Sequence, residues 1–115
     1  MLTITEIFAG IQGEASYSGL PFAFVRLTGC NLRCRYCDTT YAYDSGREFP
    51  LEEVVSRIDA FGLRRTCVTG GEPMLQKNAP ALVKALLDRG HTVLVETNGT
   101  LPLSALDPAA VKIMD

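Results

Sequence analysis

The sequence lacks several features that would place it outside the class of small globular domains. It has no apolar run of about 18 residues, so we expect no transmembrane helix. Its first ten residues, MLTITEIFAG, have neither the basic region nor the long apolar region of a signal peptide. Low-complexity tracts and serine- or proline-rich linkers are also absent. The length of 115 residues suits one small domain, and the default expectation is a cytoplasmic location.

The sequence also has no excess of positive charge. Its formal net charge is −2, which gives no reason to expect a general nucleic-acid or anionic-membrane surface. We therefore predict that the protein makes no direct contact with nucleic acid and none with a membrane.

Cysteine is scarce, but three of the four cysteines lie within eight residues. Cys30, Cys34 and Cys37 form the pattern C-x3-C-x2-C, and clustered cytoplasmic cysteines are more often metal or redox groups than disulfides. A structural zinc site needs four ligands, whereas Cys67 lies in an apolar strand pattern that predicts a buried, packing role. Three thiolates leave one position open, which favours an iron–sulfur cluster, with a zinc loop or three unrelated cysteines as the alternatives.

The hydrophobic pattern predicts an α/β fold with a parallel sheet. Apolar and polar residues alternate in 2–8, and Gly and Ser residues make 9–20 a loop or hairpin turn. The next predicted elements are a strand at 22–28, a loop at 29–44 and a helix from about Pro50, with Leu51, Val54, Val55, Ile58 and Phe61 on its apolar face. A short strand that ends in a glycine turn follows at 66–73, then a helix at 77–89, a strand at 91–99 and a strand beginning at 111. Strands that alternate with helices form βαβ units. Because a domain rarely stops at the start of a buried strand, we expect residues 1–115 to be the N-terminal portion of a single longer domain.

Polar or glycine-rich segments follow three of the predicted strands. These segments are GCNLRCRYC (29–37), TGGEP (69–73) and ETNG (96–99). In a parallel sheet all three emerge at the carboxyl edge, where α/β folds build their sites. We therefore expect one site at that edge and expect His91, at the opposite end of its strand, to be a surface or packing residue.

Two of these segments resemble the signatures of radical S-adenosylmethionine (SAM) enzymes. The cysteine pattern has an aromatic residue, Tyr36, before its last cysteine, and Gly70 to Pro73 form a GGEP turn. The resemblance implies a partial (βα) barrel of the radical SAM type, in which three cysteines bind a 4Fe–4S cluster. It also implies that SAM binds the open iron and yields a 5′-deoxyadenosyl radical that abstracts hydrogen from the substrate.

The N-terminal segment is similar to one family among these enzymes. Glu6 to Ala42 contain the motifs I-Q-G-E, F-V-R-L-x-G-C-N and C-D-T, which resemble those of the 7-carboxy-7-deazaguanine synthase family of queuosine biosynthesis. The resemblance implies a lyase that contracts 6-carboxy-5,6,7,8-tetrahydropterin to 7-carboxy-7-deazaguanine with loss of ammonia, with catalytic SAM and Mg2+. It also implies a homodimer when full length and an electron donor such as a flavodoxin.

The resemblance assigns site residues by position. The implied substrate-binding residues are Ile11, Gln12, Gly13, Glu14, Arg26 and Thr69. The implied SAM-binding residues are Tyr36, Cys37, Asp38, Gly70, Gly71, Glu72, Thr97, Asn98 and Asp115, with Glu96 as a further pocket residue. The implied metal ligands are Cys30, Cys34 and Cys37 for the cluster and Thr39 for Mg2+.

Arg26 illustrates how the residues themselves support one of these roles. Strand alternation places Arg26 in phase with Phe22 and Phe24, and opposite Val25 and Leu27. A guanidinium in that position needs a partner, which could be a substrate carboxylate bound bidentately or an acidic residue of the strand.

Three other functions remain open from the sequence. Another radical SAM enzyme, such as a glycyl-radical-enzyme activase, would act on a protein and would not need the IQGE turn, Arg26 or the C-D-T motif. A non-catalytic iron–sulfur carrier would be expected to have four ligands. A structural zinc module is the third alternative.

Overall fold

The computed structural model describes residues 2–12, 19–29, 47–70, 72–98, 104 and 106–114. Within these ranges the elements form one mixed sheet with two α-helices. In chain order they are β1 (Leu2–Ile11), β2 (Pro21–Leu27), β3 (Arg47–Phe49), α1 (Leu51–Asp59), β4 (Arg65–Gly70), a short 3-10 helix (Pro73–Leu75), α2 (Ala79–Asp88), β5 (Thr92–Thr97) and β6 (Val111–Met114). No helix in these ranges is long and apolar enough to cross a membrane.

The sheet has the order β3-β1-β2-β4-β5-β6. The strands β2, β4, β5 and β6 are parallel, whereas β1 pairs antiparallel with both β2 and β3. Helix α1 follows β3 and leads into β4, and α2 connects β4 to β5, so the first two of the three parallel crossovers contain a helix. The predicted α/β class, with an N-terminal strand and hairpin added to a parallel sheet, is confirmed.

Both helices cover the same face of the sheet, where most of the core lies. The apolar stripe of α1 buries Val54, Val55 and Ile58, as its helical spacing predicts. The prediction for Phe61 was wrong, because α1 ends at Asp59 and Phe61 is 40% exposed beyond the helix. The core between helices and sheet includes Leu2, Ile4, Ala23, Val25, Leu27, Val54, Ile58, Val68, Leu82, Val83, Leu86, Val93 and Val95.

The second helix is shorter than predicted. Residues 73–75 form a separate 3-10 turn, and α2 begins only at Ala79, with Pro80 in its first turn. Proline suits that turn because its missing N–H has no intrahelical acceptor there. The helix ends at Asp88, and Gly90 follows with φ of +87°, a conformation that favours glycine.

Strand β1 is longer than the predicted 2–8 and contains a register shift between Ile4 and Glu6. Before the shift, Leu2 and Ile4 are buried on the helix side. After it, Phe8 stacks on Phe24 with ring centroids 5.1 Å apart, on the opposite face. An extra residue in one strand moves its later side chains to the other face, so this β-bulge at Thr5 turns Glu6 and Phe8 away from the helices.

The face opposite the helices has an apolar layer and a polar layer. The apolar layer consists of Phe22, Cys67 and Leu94, with Phe24, Val111 and Ile113 packed against them. Cys67 is fully buried there, which confirms its predicted packing role. The polar layer lies nearer the carboxyl ends of the parallel strands.

Candidate functional site

The carboxyl ends of β2, β4 and β5 lie side by side. Leu27 is in register with Gly70, and a Cβ on Gly70 would lie 2.6 Å from the Leu27 carbonyl oxygen. A backbone atom cannot move aside as a flexible side chain can, so only glycine fits at the end of β4. The first glycine of the GGEP turn therefore allows close approach of two strand ends.

Glu72, in the same turn, is fully buried and its carboxylate is surrounded by donors. The Thr97 hydroxyl donates to it at 2.8 Å from Oε1 and 2.9 Å from Oε2. The backbone N–H of Asn98 donates to Oε1 at 2.7 Å, and that of Met74 donates to Oε2 at 2.8 Å. Hydrogen bonds to a charged acceptor are the stronger kind, so Glu72 fixes the turn after β4 to the end of β5.

Four polar side chains form a row across the sheet, which we call the polar row: Glu6, Arg26, Thr69 and Glu96. Glu6 Oε1 accepts from Arg26 Nε at 2.9 Å, and Arg26 is in register with Thr69. The Thr69 hydroxyl donates to Glu96 Oε1 at 3.1 Å, and the Cys67 thiol below donates to Oε2 at 3.5 Å. The row lies above the apolar layer of the same face.

The polar row confirms that Arg26 lies on the face of the sheet that the strand alternation predicted. Its partner there is Glu6, an acidic residue of a strand, which was one of the two predicted kinds of partner. A role for Arg26 toward a substrate carboxylate stays a prediction. Sequence reasoning did not select Glu6, because it treated 2–8 as regularly alternating. The signal it missed is the pair of consecutive polar residues Thr5 and Glu6, which breaks the alternation at the bulge that sets Glu6 opposite Arg26. The polar step from Val95 to Glu96 at a strand end was the signal for Glu96.

The structure brings together some predicted site residues and separates others. Thr69, Gly70, Glu72, Thr97 and Asn98 converge at the carboxyl edge. By contrast, Ile11 and Gln12 lie at the other end of β2, since Ile11 is in register with Pro21.

Ile11 and Gln12 therefore do not meet Arg26 within the described residues. Glu6 is the residue of β1 that faces Arg26, and Ile11 lies roughly 16 Å from Glu6 along the extended strand. Ile11 is 65% exposed, whereas Gln12 is buried and its backbone pairs with Gly19 and Leu20. Their role in binding substrate stays a prediction.

Ten predicted site residues lie outside the described ranges. They are Gly13, Glu14, Cys30, Cys34, Tyr36, Cys37, Asp38, Thr39, Gly71 and Asp115. Within the described ranges, no three His, Cys, Asp or Glu side chains are placed to hold a metal ion. The predicted metal ligands Cys30, Cys34, Cys37 and Thr39 all lie outside these ranges, so their roles stay predictions.

His91 lies at the amino end of β5, away from this edge, as predicted. It is 5% exposed, so it is a packing residue and not a surface residue. Its Nδ1 is 2.9 Å from the Thr66 hydroxyl, and its Nε2 is 2.9 Å from Asp59 Oδ1.

Comparison with known families agrees with the geometry. The sequence model of the radical SAM superfamily matches residues 24–114, which include the cysteine segment, the GGEP turn and all four parallel strands except the first residues of β2. The chain belongs to the radical SAM superfamily. The radical SAM type of fold that the sequence resemblance implied is thereby confirmed, whereas the site at the carboxyl edge stays a prediction.

Similarity extends to individual proteins. Over 114 residues the chain is 50% identical to a 7-carboxy-7-deazaguanine synthase of Chlorobaculum tepidum, covering 99% of this chain and 52% of that protein. Over 102 residues it is 48% identical to a protein of the same name from Thermoplasma acidophilum, covering 89% and 49%. The crystal structure of QueE from Escherichia coli superposes with a TM-score of 0.89 at 26% identity, covering 99% of this chain and 59% of that one.

The chain spans about half the length of the curated relatives it matches. Membership of the superfamily implies a 4Fe–4S cluster and SAM. The donor set fits both groups: three cysteine thiolates suit an iron–sulfur cluster, and the carboxyl edge offers polar groups at Glu96 and Asn98 for SAM.

Proposed function

We propose that the protein is a 7-carboxy-7-deazaguanine synthase, a radical SAM lyase. It would convert 6-carboxy-5,6,7,8-tetrahydropterin to 7-carboxy-7-deazaguanine with loss of ammonia. The observation that carries the proposal is the 50% identity to a protein of that name over 99% of this chain. This similarity includes the residues before position 24, where the superfamily match begins. SAM cleavage alone does not require this N-terminal segment.

The polar row and the rings beside it support a flat heterocyclic substrate. Arg26 offers a guanidinium, which binds carboxylates bidentately, and the substrate carries a carboxylate. Phe8 and Phe24 stack on the same face, and aromatic surfaces of this kind pack against planar rings. The Thr69 hydroxyl and the Glu96 carboxylate provide partners for the polar edge of a pterin.

The residues toward the cofactors are those at the carboxyl edge. Cys30, Cys34 and Cys37 would hold a 4Fe–4S cluster, which together with bound SAM supplies the radical chemistry of the superfamily. The segments 69–72 and 97–98 would orient SAM, since Glu72 holds both segments in place. Thr39 would ligate Mg2+, with substrate oxygens and water completing the shell, as suits a magnesium ion.

The remaining parts of the proposal concern the intact protein. We propose a homodimer in the cytoplasm, reduced by a flavodoxin or a similar electron donor. Its substrate is the small pterin, and direct contact with nucleic acid or membrane forms no part of the proposed function.

Product formation tests the proposal. The intact protein would be reconstituted anaerobically with iron and sulfide, reduced with dithionite, and supplied with SAM, Mg2+ and the pterin. We expect 7-carboxy-7-deazaguanine by mass spectrometry. If SAM is cleaved to 5′-deoxyadenosine without this product, another radical SAM activity replaces the proposal. If a protein with a full cluster cleaves no SAM, an electron carrier becomes the better explanation.

Replacing Arg26 tests its role toward the substrate. Loss of a charge-assisted bidentate contact costs about 1.5–3 kcal/mol, so Arg26→Gln should raise the KM for the pterin roughly 10- to 100-fold. The matched control is Arg57→Gln, which removes an exposed arginine on α1 that pairs with Glu53. Equal KM values in the two variants would remove Arg26 from the substrate site.

A further inference from the structure

The side chain of Gln76, just after the 3-10 helix, binds the backbone of β1 and of the residue that follows β2. Its Oε1 accepts from the Thr3 N–H at 2.9 Å, and its Nε2 donates to the Thr3 carbonyl at 2.7 Å. The same Nε2 donates to the Thr28 carbonyl at 3.0 Å. The amide therefore pairs with Thr3 as a neighbouring strand residue would, and reaches across to the residue that follows β2.

A second connection runs between the same two segments. The backbone N–H of Glu72 donates to the carbonyl of Gly29, and Gly29 has φ of +111°, where glycine is favoured. Thr28 is also held from the other side, since its hydroxyl lies 2.8 Å from that of Thr5. Gly29 is thus hydrogen-bonded to the GGEP turn, and Thr28 is hydrogen-bonded to Gln76, which follows that turn, and to β1.

We infer that Gln76 is a positioning residue that couples the GGEP segment to the start of the cluster-bearing loop. SAM must meet the cluster and the carboxyl edge at once, and misplacement of reacting groups by about 1 Å costs as much as 100-fold in rate. Gln76 and Glu72 set the spacing of these two parts by joining 72–76 to 28–29. The inference depends on superfamily membership and not on the identity of the substrate.

The alternative is that Gln76 only stabilises the fold, and a matched control separates the two roles. Gln76→Leu removes all three hydrogen bonds to the backbone of Thr3 and Thr28. Thr66→Val removes a buried hydrogen bond to His91 at the amino end of β4. Both changes should lower stability, but only the first touches the connection between the GGEP segment and the loop.

The test uses the intact, reconstituted protein at a temperature at which both variants are folded. Iron and sulfide content are measured first, and the reduced cluster is then titrated with SAM while its EPR spectrum is followed. We expect full clusters in both variants, an apparent SAM Kd raised about tenfold or more in Gln76→Leu, and a Kd unchanged in Thr66→Val.

Several results would overturn the inference. One is a wild-type EPR response and Kd in Gln76→Leu, and another is an equal change in Thr66→Val, which would show a general loss of stability. If Gln76→Leu does not fold, Gln76→Asn decides, because it keeps the amide and is one methylene shorter. It should weaken SAM binding in the same direction, and a wild-type Kd would contradict positioning.

Failure of this inference is distinct from failure of the proposed function. A wild-type cluster that does not respond to SAM would overturn the cofactor assignment and the inference together. A normal SAM response without deazaguanine product would overturn the proposed substrate and leave the inference intact.

Discussion

A carboxylate accepts hydrogen bonds at each end of β4 and β5. The carboxylate at the amino end binds side chains, whereas the one at the carboxyl end also binds backbone N–H groups. At the amino end, Asp59 of α1 accepts hydrogen bonds from His91 and from Arg89. His91 in turn contacts the Thr66 hydroxyl. These are contacts between side chains, and they join α1 to the beginnings of β4 and β5.

At the carboxyl end, Glu72 accepts from two backbone N–H groups as well as from Thr97. Glu72 is fully buried, whereas the Asp59 side chain is 28% exposed. Backbone contacts fix the course of the chain, so the loops after the strands are held where a cofactor would meet them. The difference teaches that the amino end contributes stability, whereas the carboxyl end also contributes the geometry of the site.

Replacing Glu72 should have the largest effect and tests the difference between the two ends most directly. In Glu72→Gln one carboxylate oxygen becomes an amide NH2, which then faces a backbone N–H donor. We expect a loss of about 3 kcal/mol in the free energy of unfolding, because hydrogen bonds to a buried charge are lost and a donor is left unpaired. Urea unfolding measures this, with Glu48→Gln, an exposed residue of β3, as the control. Equal losses in both variants would contradict the role given to Glu72.

A methyl group at Gly70 should have the next largest effect. Its position, 2.6 Å from the Leu27 carbonyl, requires the ends of β2 and β4 to separate. Overpacking of this kind costs about 2 kcal/mol, and it should also weaken SAM binding. In Gly10→Ala, the control, the new Cβ would meet a Phe24 ring carbon at 3.3 Å, and a side chain can shift. A Gly70→Ala protein as stable as Gly10→Ala would argue against close backbone approach.

The sequence predicted most of the frame on which these contacts are built. The alternation in β2 is regular, so the burial of Val25 and Leu27 and the opposite direction of Arg26 followed from the pattern alone. Polar residues after strands predicted the shared edge, because parallel strands end on the same side. Cys67 was predicted to be buried because it lies in an apolar strand pattern, beside Val68.

The contacts that define the site depend on distant parts of the chain. Gln76 and Thr3 are 73 positions apart, and nothing in either neighbourhood indicates their pairing. The consecutive polar residues Thr5 and Glu6 break the alternation of β1 where the register shifts, but the break alone does not identify Arg26 as the partner of Glu6. For Glu72 the GGEP motif predicted a cofactor role, and the inward direction of its carboxylate became visible only with β5 in place.

A smaller effect is expected at the amino end, where Thr66→Val replaces the hydroxyl next to His91 with a methyl group. Thr66 is fully buried, so His91 Nδ1 loses its partner without access to water there. We expect a loss of about 1 kcal/mol in the free energy of unfolding. Apparent SAM affinity should not change, and a weakened affinity would erase the distinction between the two ends.

The smallest expected effect is a pH dependence at Asp59. The hydrogen bond from His91 and the contacts with Arg89 hold the pKa of this carboxyl below its ordinary value of 3.8, against the opposing effect of burial. A carboxyl whose pKa is lower in the folded state binds fewer protons there than in the unfolded chain, so it stabilises the fold at pH values above 3.8. That stabilisation should disappear as the pH falls through the lowered pKa.

Urea unfolding of wild type and Asp59→Asn from about pH 6 to about pH 3 measures this effect. The free energies of unfolding of the two proteins should converge on the acid side. Asp88→Asn, which alters an exposed aspartate paired with Lys84 on α2, should give a difference that varies little with pH. A constant difference for Asp59→Asn would mean that the amino end is held by the shape of this side chain and not by its charge.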